Sequence, residues 1–253
     1  MIIDSHAHVG EPLSASADAL LRIADRLGFD KIMAMHSIAL AYDMEEGNRQ
    51  MAEVVKAHPD RILGYAVITT AWWGDLAAQR LERYVQDYGL VGVKIYTKPV
   101  PSLGTEASEP LVSVYEPQLY PAIEKAAELG VPVLAHASPQ ECEGLAKEVP
   151  EATIVMAHMG NTAVTHCDWH RAILAAQRYS NIFLETSSST VDMGHIEAAV
   201  EALGAERVIF GTDMLFLNPH VQLAKITTAE LSDEAKRAIL GGNMARMLRL
   251  EAN

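Results

Sequence analysis

The sequence predicts a single-domain α/β protein folded as a (β/α)8 barrel over residues 1–253. Two patterns and a length predict it. Eight short apolar runs alternate with amphipathic stretches from end to end, as βα units around a parallel sheet require. No Gly/Ser linker, charge block or low-complexity tract interrupts them. The chain has 253 residues, close to the roughly 250 that one such barrel needs. The predicted strands are Ile2 to Val9, Lys31 to His36, Ile62 to Ile68, Val91 to Tyr96, Val131 to His136, Thr153 to His158, Ile182 to Thr186 and Val208 to Asp213. They are rich in Val and Ile and lack strict alternation, as strands buried on both faces do.

Between them lie helical stripes. Leu20, Leu21, Ile23, Ala24 and Leu27 end at Gly28; Ala77, Leu81, Tyr84, Val85 and Tyr88 end at Gly89; Leu119, Ile123, Ala126 and Ala127 precede Gly130. Spacings of three and four define one helix face, and a glycine suits the left-handed C-terminal cap. Ser232, followed by Asp233 and Glu234, reads as the start of the last helix. An open doubly wound sheet is the competing architecture. It would place a glycine-rich phosphate loop after the first strand, where this chain has Val9-Gly10-Glu11-Pro12.

The net charge of -13 disfavours nucleic acid as a partner. Cys142 and Cys167 form no CxxC pair, and free thiols fit a reducing compartment. The first residues carry no signal-peptide pattern, and no apolar run reaches the roughly 18 residues of a membrane span. The expected location is the cytoplasm, without membrane attachment. The expected partner is a small-molecule substrate, and a homo-oligomer is a common outcome for such enzymes.

Of ten histidines, His6, His8, His36, His136 and His158 fall at or near the C-terminal ends of predicted strands. In a barrel those ends converge on one mouth. A lone strand-end histidine is more often a satisfied polar residue, so the argument rests on the group. In His6-Ala7-His8 the two imidazoles share one side of the strand, and Asp4 shares their parity as an outer acceptor able to orient one of them. Asp213 ends the last predicted strand, which a closed barrel brings beside the first. Imidazoles with a carboxylate make an ordinary zinc set. Lys94 lies inside the apolar run Gly92-Val93-Lys94-Ile95-Tyr96, where a lysine is costly unless paired; Glu185 is one candidate partner. Tyr96 shares its parity.

These residues resemble the amidohydrolase superfamily, in particular its amidohydrolase-related branch of metal-dependent hydrolases, lactonases and nonoxidative decarboxylases. The resemblance is carried by Ile3-Asp4-Ser5-His6-Ala7-His8, Gly92 to Tyr96, Val133 to His136, Ala157-His158-Met159-Gly160, Phe210-Gly211-Thr212-Asp213 and Gly242 to Arg246, in the family's order. It implies a metal held by His6, His8, His136 and Asp213, with zinc expected and one ion favoured over two. It implies catalytic roles for Asp213 and His158, and places Lys94 where some relatives carry a carboxylated lysine between two ions.

The expected chemistry is hydrolysis of a small ester, lactone or amide. A bound divalent ion lowers the pKa of water from 15.7 to about 7. Asp213 takes its proton and delivers it to the leaving group, and the metal or His158 polarises the substrate carbonyl. Tyr96, His36 and Glu185 are expected to bind substrate, with Trp72 and Trp73 shaping the pocket. Two alternatives are a metal-dependent decarboxylase of a small carboxylic acid and a metal-bearing, non-catalytic binding protein. A decarboxylase needs a cation for the substrate carboxylate. No arginine sits at a predicted strand end, although Arg49 and Arg171 are within reach on loops, and this favours hydrolysis.

Overall fold

The computed structural model describes residues 1–68, 74–96, 117–160, 169–188, 192–214 and 216–250. Eight parallel strands run in the order β1 to β8: Ile3–Val9, Lys31–His36, Ile62–Ile68, Gly92–Tyr96, Val133–His136, Ile154–Met156, Ile182–Glu185 and Val208–Ile209. Each pairs with its sequence neighbour, so the sheet curls into a near-closed (β/α)8 barrel. Between β8 and β1 there is no continuous ladder. Ser5 N donates to Phe210 O at 3.1 Å and His8 N to Met214 O at 2.6 Å across that seam.

The helices are α1 (Ala17–Leu27), α2 (Ser37–Ala41), α3 (Met44–Ala57), α4 (Asp75–Gln86), α5 (Tyr120–Leu129), α6 (Pro139–Glu148), α7 (Trp169–Arg178), α8 (His195–Leu203), α9 (Pro219–Thr227), α10 (Asp233–Arg237) and α11 (Asn243–Met247). A π-helical turn, Ala238–Gly242, joins the last two. Local chemistry sets their ends. The Ser16 hydroxyl accepts from Ala19 N at the start of α1, and Gly28 ends it at φ 72°. Ser138 and Glu141 form a reciprocal capping box on α6. No helix among the described residues is long and apolar enough to cross a membrane.

Alternation along the strands separates two apolar layers. Ile32, Ala34, Ile62, Ala66, Val93, Val133, Ile154, Ile182 and Val208 pack outward against the helices. Met33, Met35, Tyr65, Val67, Leu134, Val155 and Ile209 fill the barrel. Gly92 makes room inside, since a Cβ there would stand 2.6 Å from the Tyr65 ring. The Tyr65 hydroxyl donates to Ser5 O at 2.9 Å, tying β3 to β1 through the interior.

Two strands stop at least two residues earlier than the sequence predicts. β6 ends at Met156, because His158 and Met159 adopt left-handed backbones at φ 61° and 50°. β8 ends at Ile209, and Asp213 stands at φ 52°. The apolar pattern continues past both points, but left-handed residues cannot continue a ladder.

Candidate metal centre at the barrel mouth

β1 carries His6 and His8 into the mouth, both buried. The chain after β8 brings Asp213 opposite them. Asp213 Oδ1 lies 3.5 Å from His6 Nε2 and 3.0 Å from His8 Nε2. One ligand atom from each of the three residues lies within 4.8 Å of the others. Although His8 Nε2 is close to Asp213, neither His8 ring nitrogen has a partner with hydrogen-bond geometry. Two ligand atoms about 2.1 Å from one ion stand roughly 3 to 3.4 Å apart. The orphaned imidazole, the spacing and the donor types therefore fit a divalent cation.

A second group, His6, His158 and Glu185, also places ligand atoms close together. Here the atoms are already engaged. Glu185 is fully buried; Oε2 accepts from Ser187 Oγ at 2.8 Å, from His158 N at 3.1 Å and from His6 Nδ1 at 3.2 Å. Its Oε1 accepts from Ser187 N at 2.6 Å. With the Nδ1 proton of His6 directed at Glu185, the Nε2 lone pair faces Asp213 and His8. This is the arrangement by which an outer carboxylate fixes a metal-binding tautomer. Gly211 permits it, since a Cβ there would lie 2.2 Å from Glu185 Oε1.

The His158 ring is held by Ser187 as well. Its Nδ1 donates to Ser187 O at 2.6 Å, and its Nε2 lies 3.2 Å from His136 Nδ1. In the neutral state His136 therefore donates to His158 through Nδ1. The His136 ring stacks on Tyr96, with centroids 4.7 Å apart and planes at 16°. Gln222 on α9 pairs with both the N–H and the C=O of Ser188, and Lys225 Nζ donates to Ser188 O at 2.5 Å. The end of β7 is thereby clamped to α9.

Lys94 is fully buried on β4, across the barrel from Asp213. Its Nζ lies 3.1 Å from His6 Nε2 and 4.7 Å above the Tyr96 ring centroid. Burial pushes this ammonium down to about 7, opposed by the charges of Asp213 and Glu185. Burial, with the Lys94 charge, holds His6 well below its usual value. Burial, then His158, does the same to His136. Burial would raise Asp213, but His6 and His8 outweigh it and hold the carboxyl below the usual range. Burial raises Glu185. These are the protonation states that suit a cation: neutral imidazoles and an ionised carboxylate.

Several sequence expectations change here. The histidine pair and Asp213 come together, but His136 reaches the group through His158 and does not belong to the three-residue cluster. Glu185, expected to bind substrate, is sealed behind His6. His36, also expected to bind substrate, is 4% exposed; its Nδ1 accepts from Ile38 N at the start of α2, and its ring fills the space where a Gly10 side chain would be. Asp4 holds no histidine ring and bonds to Thr212 instead. Arg49 is paired with Glu46 on the surface of α3, and Arg171 is exposed on α7, so among the described residues the cation nearest the histidines is Lys94. Trp72, Trp73 and Cys167 lie outside the described residues. Ser187 was not foreseen. Its only signal is a polar Glu-Thr-Ser-Ser run directly after an apolar strand.

The amidohydrolase family profile matches residues 3–250. A comparison with curated protein sequences gives no match. Among solved structures, a dihydroxybenzoic acid decarboxylase from a Polaromonas species, with bound manganese and 2-nitroresorcinol, aligns at 18% identity. The alignment has a TM-score of 0.79 and covers 100% of this chain and 98% of that one. A 5-carboxyvanillate decarboxylase from Sphingomonas paucimobilis aligns at 16% identity and TM-score 0.75, covering 99% of each chain. A 4-oxalomesaconate hydratase from Rhodopseudomonas palustris aligns at 20% identity and TM-score 0.72, covering 98% of this chain and 96% of that one. At these identities the likeness is one of fold.

Proposed function

The chain belongs to the amidohydrolase family, and from that premise we propose that it is a divalent-metal-dependent decarboxylase of a small aromatic or enoic carboxylic acid. The observation that carries this reading is Lys94. It sets a buried ammonium 3.1 Å from the His6 nitrogen that faces Asp213, where a substrate carboxylate beside the metal would meet it. Two of the structures that resemble the fold are named as decarboxylases of aromatic acids.

His6, His8 and Asp213 would hold the ion, and the resemblance adds His136 from β5 to that set. Imidazole and carboxylate suit zinc, the ion the sequence suggests, and also manganese, the ion bound in the Polaromonas enzyme. A divalent ion in this place supplies positive charge for the substrate oxygens and for the negative charge that develops as carbon dioxide leaves. Lys94 pairs with the carboxylate and orients it. When the carbon–carbon bond breaks, its electron pair stays on the substrate carbon, which must then take up a proton. Asp213 uses Oδ1 toward both histidines, so Oδ2 is the oxygen that can relay that proton, taking it from water at the mouth and passing it to the carbon. Its side chain is 14% exposed, consistent with access from the mouth.

The hydrolytic reading asks the metal or His158 to polarise a substrate carbonyl, and the His158 route needs a ring proton directed at the substrate. In the neutral ring Nδ1–H is committed to Ser187 O and Nε2 faces His136, which leaves no proton to offer. The test is carbon dioxide release from a panel of hydroxybenzoates, methoxylated benzoates and dienoic acids, run beside lactones, esters and amides. The expected result is release from at least one acid, abolished by chelation and restored by manganese or zinc. Turnover of a lactone, ester or amide without any acid would overturn the reading.

A further inference from the structure

At the seam between β8 and β1 the ladder gives way to side-chain chemistry. β8 stops at Ile209, and Asp4 of β1 takes over beyond it. Asp4 is fully buried. Its Oδ1 accepts from Thr212 N at 2.9 Å and from His6 N at 3.1 Å, while its Oδ2 accepts from Thr212 Oγ1 at 2.5 Å. The same hydroxyl accepts from Met214 N at 3.2 Å, and Met214 O accepts from His8 N at 2.6 Å. Both neighbours of Asp213 are thus fastened to β1, one through Asp4 and the other through the His8 backbone. Asp213 between them stands at φ 52°, a conformation that a non-glycine residue keeps only when its surroundings impose it.

We propose that Asp4 is a positioning residue for the metal centre, acting through Thr212 to hold Asp213 opposite His6 and His8, so that closing the barrel seam and binding the ion form one equilibrium. This rests on the metal reading above. The physical reason is linkage. An ion that joins His6 and His8 to Asp213 crosses the same seam as the Asp4–Thr212 clip, so each favours the closed form that the other needs. Without the clip, Asp213 is free to leave the left-handed region, and part of the ion's binding free energy is spent on restoring it. An Asp4 that only stabilised the fold would lower the melting temperature and leave ion affinity unchanged.

Thr212→Val removes the hydroxyl at nearly constant volume, and Thr212→Ser retains it. Affinities for manganese and zinc are measured by competition with a chromophoric chelator, and the cobalt(II) spectrum reports the ligand geometry. The valine variant should bind about 10- to 100-fold more weakly, the loss typical when an outer partner of a metal ligand is removed, with an altered cobalt spectrum. The serine variant should restore both. Wild-type affinity in the valine variant, or equal losses in both, would overturn the proposal. Should the valine variant not fold, hydrogen exchange of the wild type decides. The amides of Ser5, Thr212 and Met214 should gain more protection on ion binding than those of β3 and β4, and an equal response would overturn it. A wild type that binds none of these ions overturns the metal reading and this inference together, a result distinct from a variant that binds normally.

Discussion

The β7 side of the barrel mouth and the β1–β8 side hold similar residues in opposite conditions. Around Glu185 each oxygen has a donor, and Ser187 serves two neighbouring residues, Glu185 through its N–H and hydroxyl and His158 through its C=O. Around Asp213, by contrast, neither His8 nitrogen meets full hydrogen-bond geometry with any of the described residues, and one carboxylate oxygen faces two imidazoles. His6 belongs to both sides, with Nδ1 in the first and Nε2 in the second. A buried polar group without a partner costs roughly 1–3 kcal/mol, so the β1–β8 side gains most from a cation and the Glu185 side has little to gain. A cluster of potential ligand atoms becomes a metal site only where the protein has not already satisfied them.

The largest effect should come from breaking this contrast at its two poles. His8→Ala should abolish stoichiometric metal and all metal-dependent turnover. Glu185→Gln should retain metal with affinity reduced about 10- to 100-fold, because only the orientation of His6 suffers. Metal analysis on the two purified variants checks this, and the reverse pattern would exchange the roles of the two sides.

A smaller effect concerns Lys94, which touches both sides through His6. Lys94→Met should keep its ion and lose about 100- to 1000-fold in kcat/KM, the usual cost of removing one charge-stabilising donor. The pH dependence follows from the depressed ammonium at about 7. Lys94 must be protonated to hold a carboxylate, so wild-type kcat/KM should fall as pH rises through about 7, and Lys94→Arg should move that limb to higher pH. Stability runs the other way. Between about 7 and the ordinary value of 10.5 the unfolded chain binds the extra proton, so metal-free protein should become more stable as pH rises through this window. Lys94→Met should flatten that slope in denaturation curves taken across the range.

The smallest effect should lie at Tyr65, whose hydroxyl reaches Ser5 O from within the barrel. Tyr65→Phe removes this bond and should cost about 1 kcal/mol, a fall of roughly 2–4 °C in Tm. A calorimetric scan showing no change would mean that the barrel interior contributes less to holding β1 than the seam does.

Much of the architecture is legible in the residue pattern, because buried parallel strands and amphipathic helices each write a period into the sequence. All eight strand positions and the caps at Gly28, Gly130 and Ser232 can be read that way. The ends of β6 and β8 cannot. Ala157 and Phe210 remain buried and apolar after the ladder has stopped, and hydrophobicity does not register a left-handed backbone at His158 or Asp213. The same limit applies at the site. His6, His8 and Asp213 are visible as polar residues at apolar strand ends. The partners of Glu185, His36 and Asp4 depend on which strands become neighbours once the barrel curls, and on close approaches such as Gly211 against Glu185. Lys94 was legible as an anomaly, a lysine in an apolar strand.

The most direct test of the account is anomalous diffraction from crystals of the protein loaded with manganese or zinc. The account predicts a peak bounded by His6 Nε2, His8 Nε2 and an Asp213 carboxylate oxygen, with Glu185 still bonded to His6 Nδ1. A peak among His6, His158 and Glu185, with His8 left unligated, would contradict it.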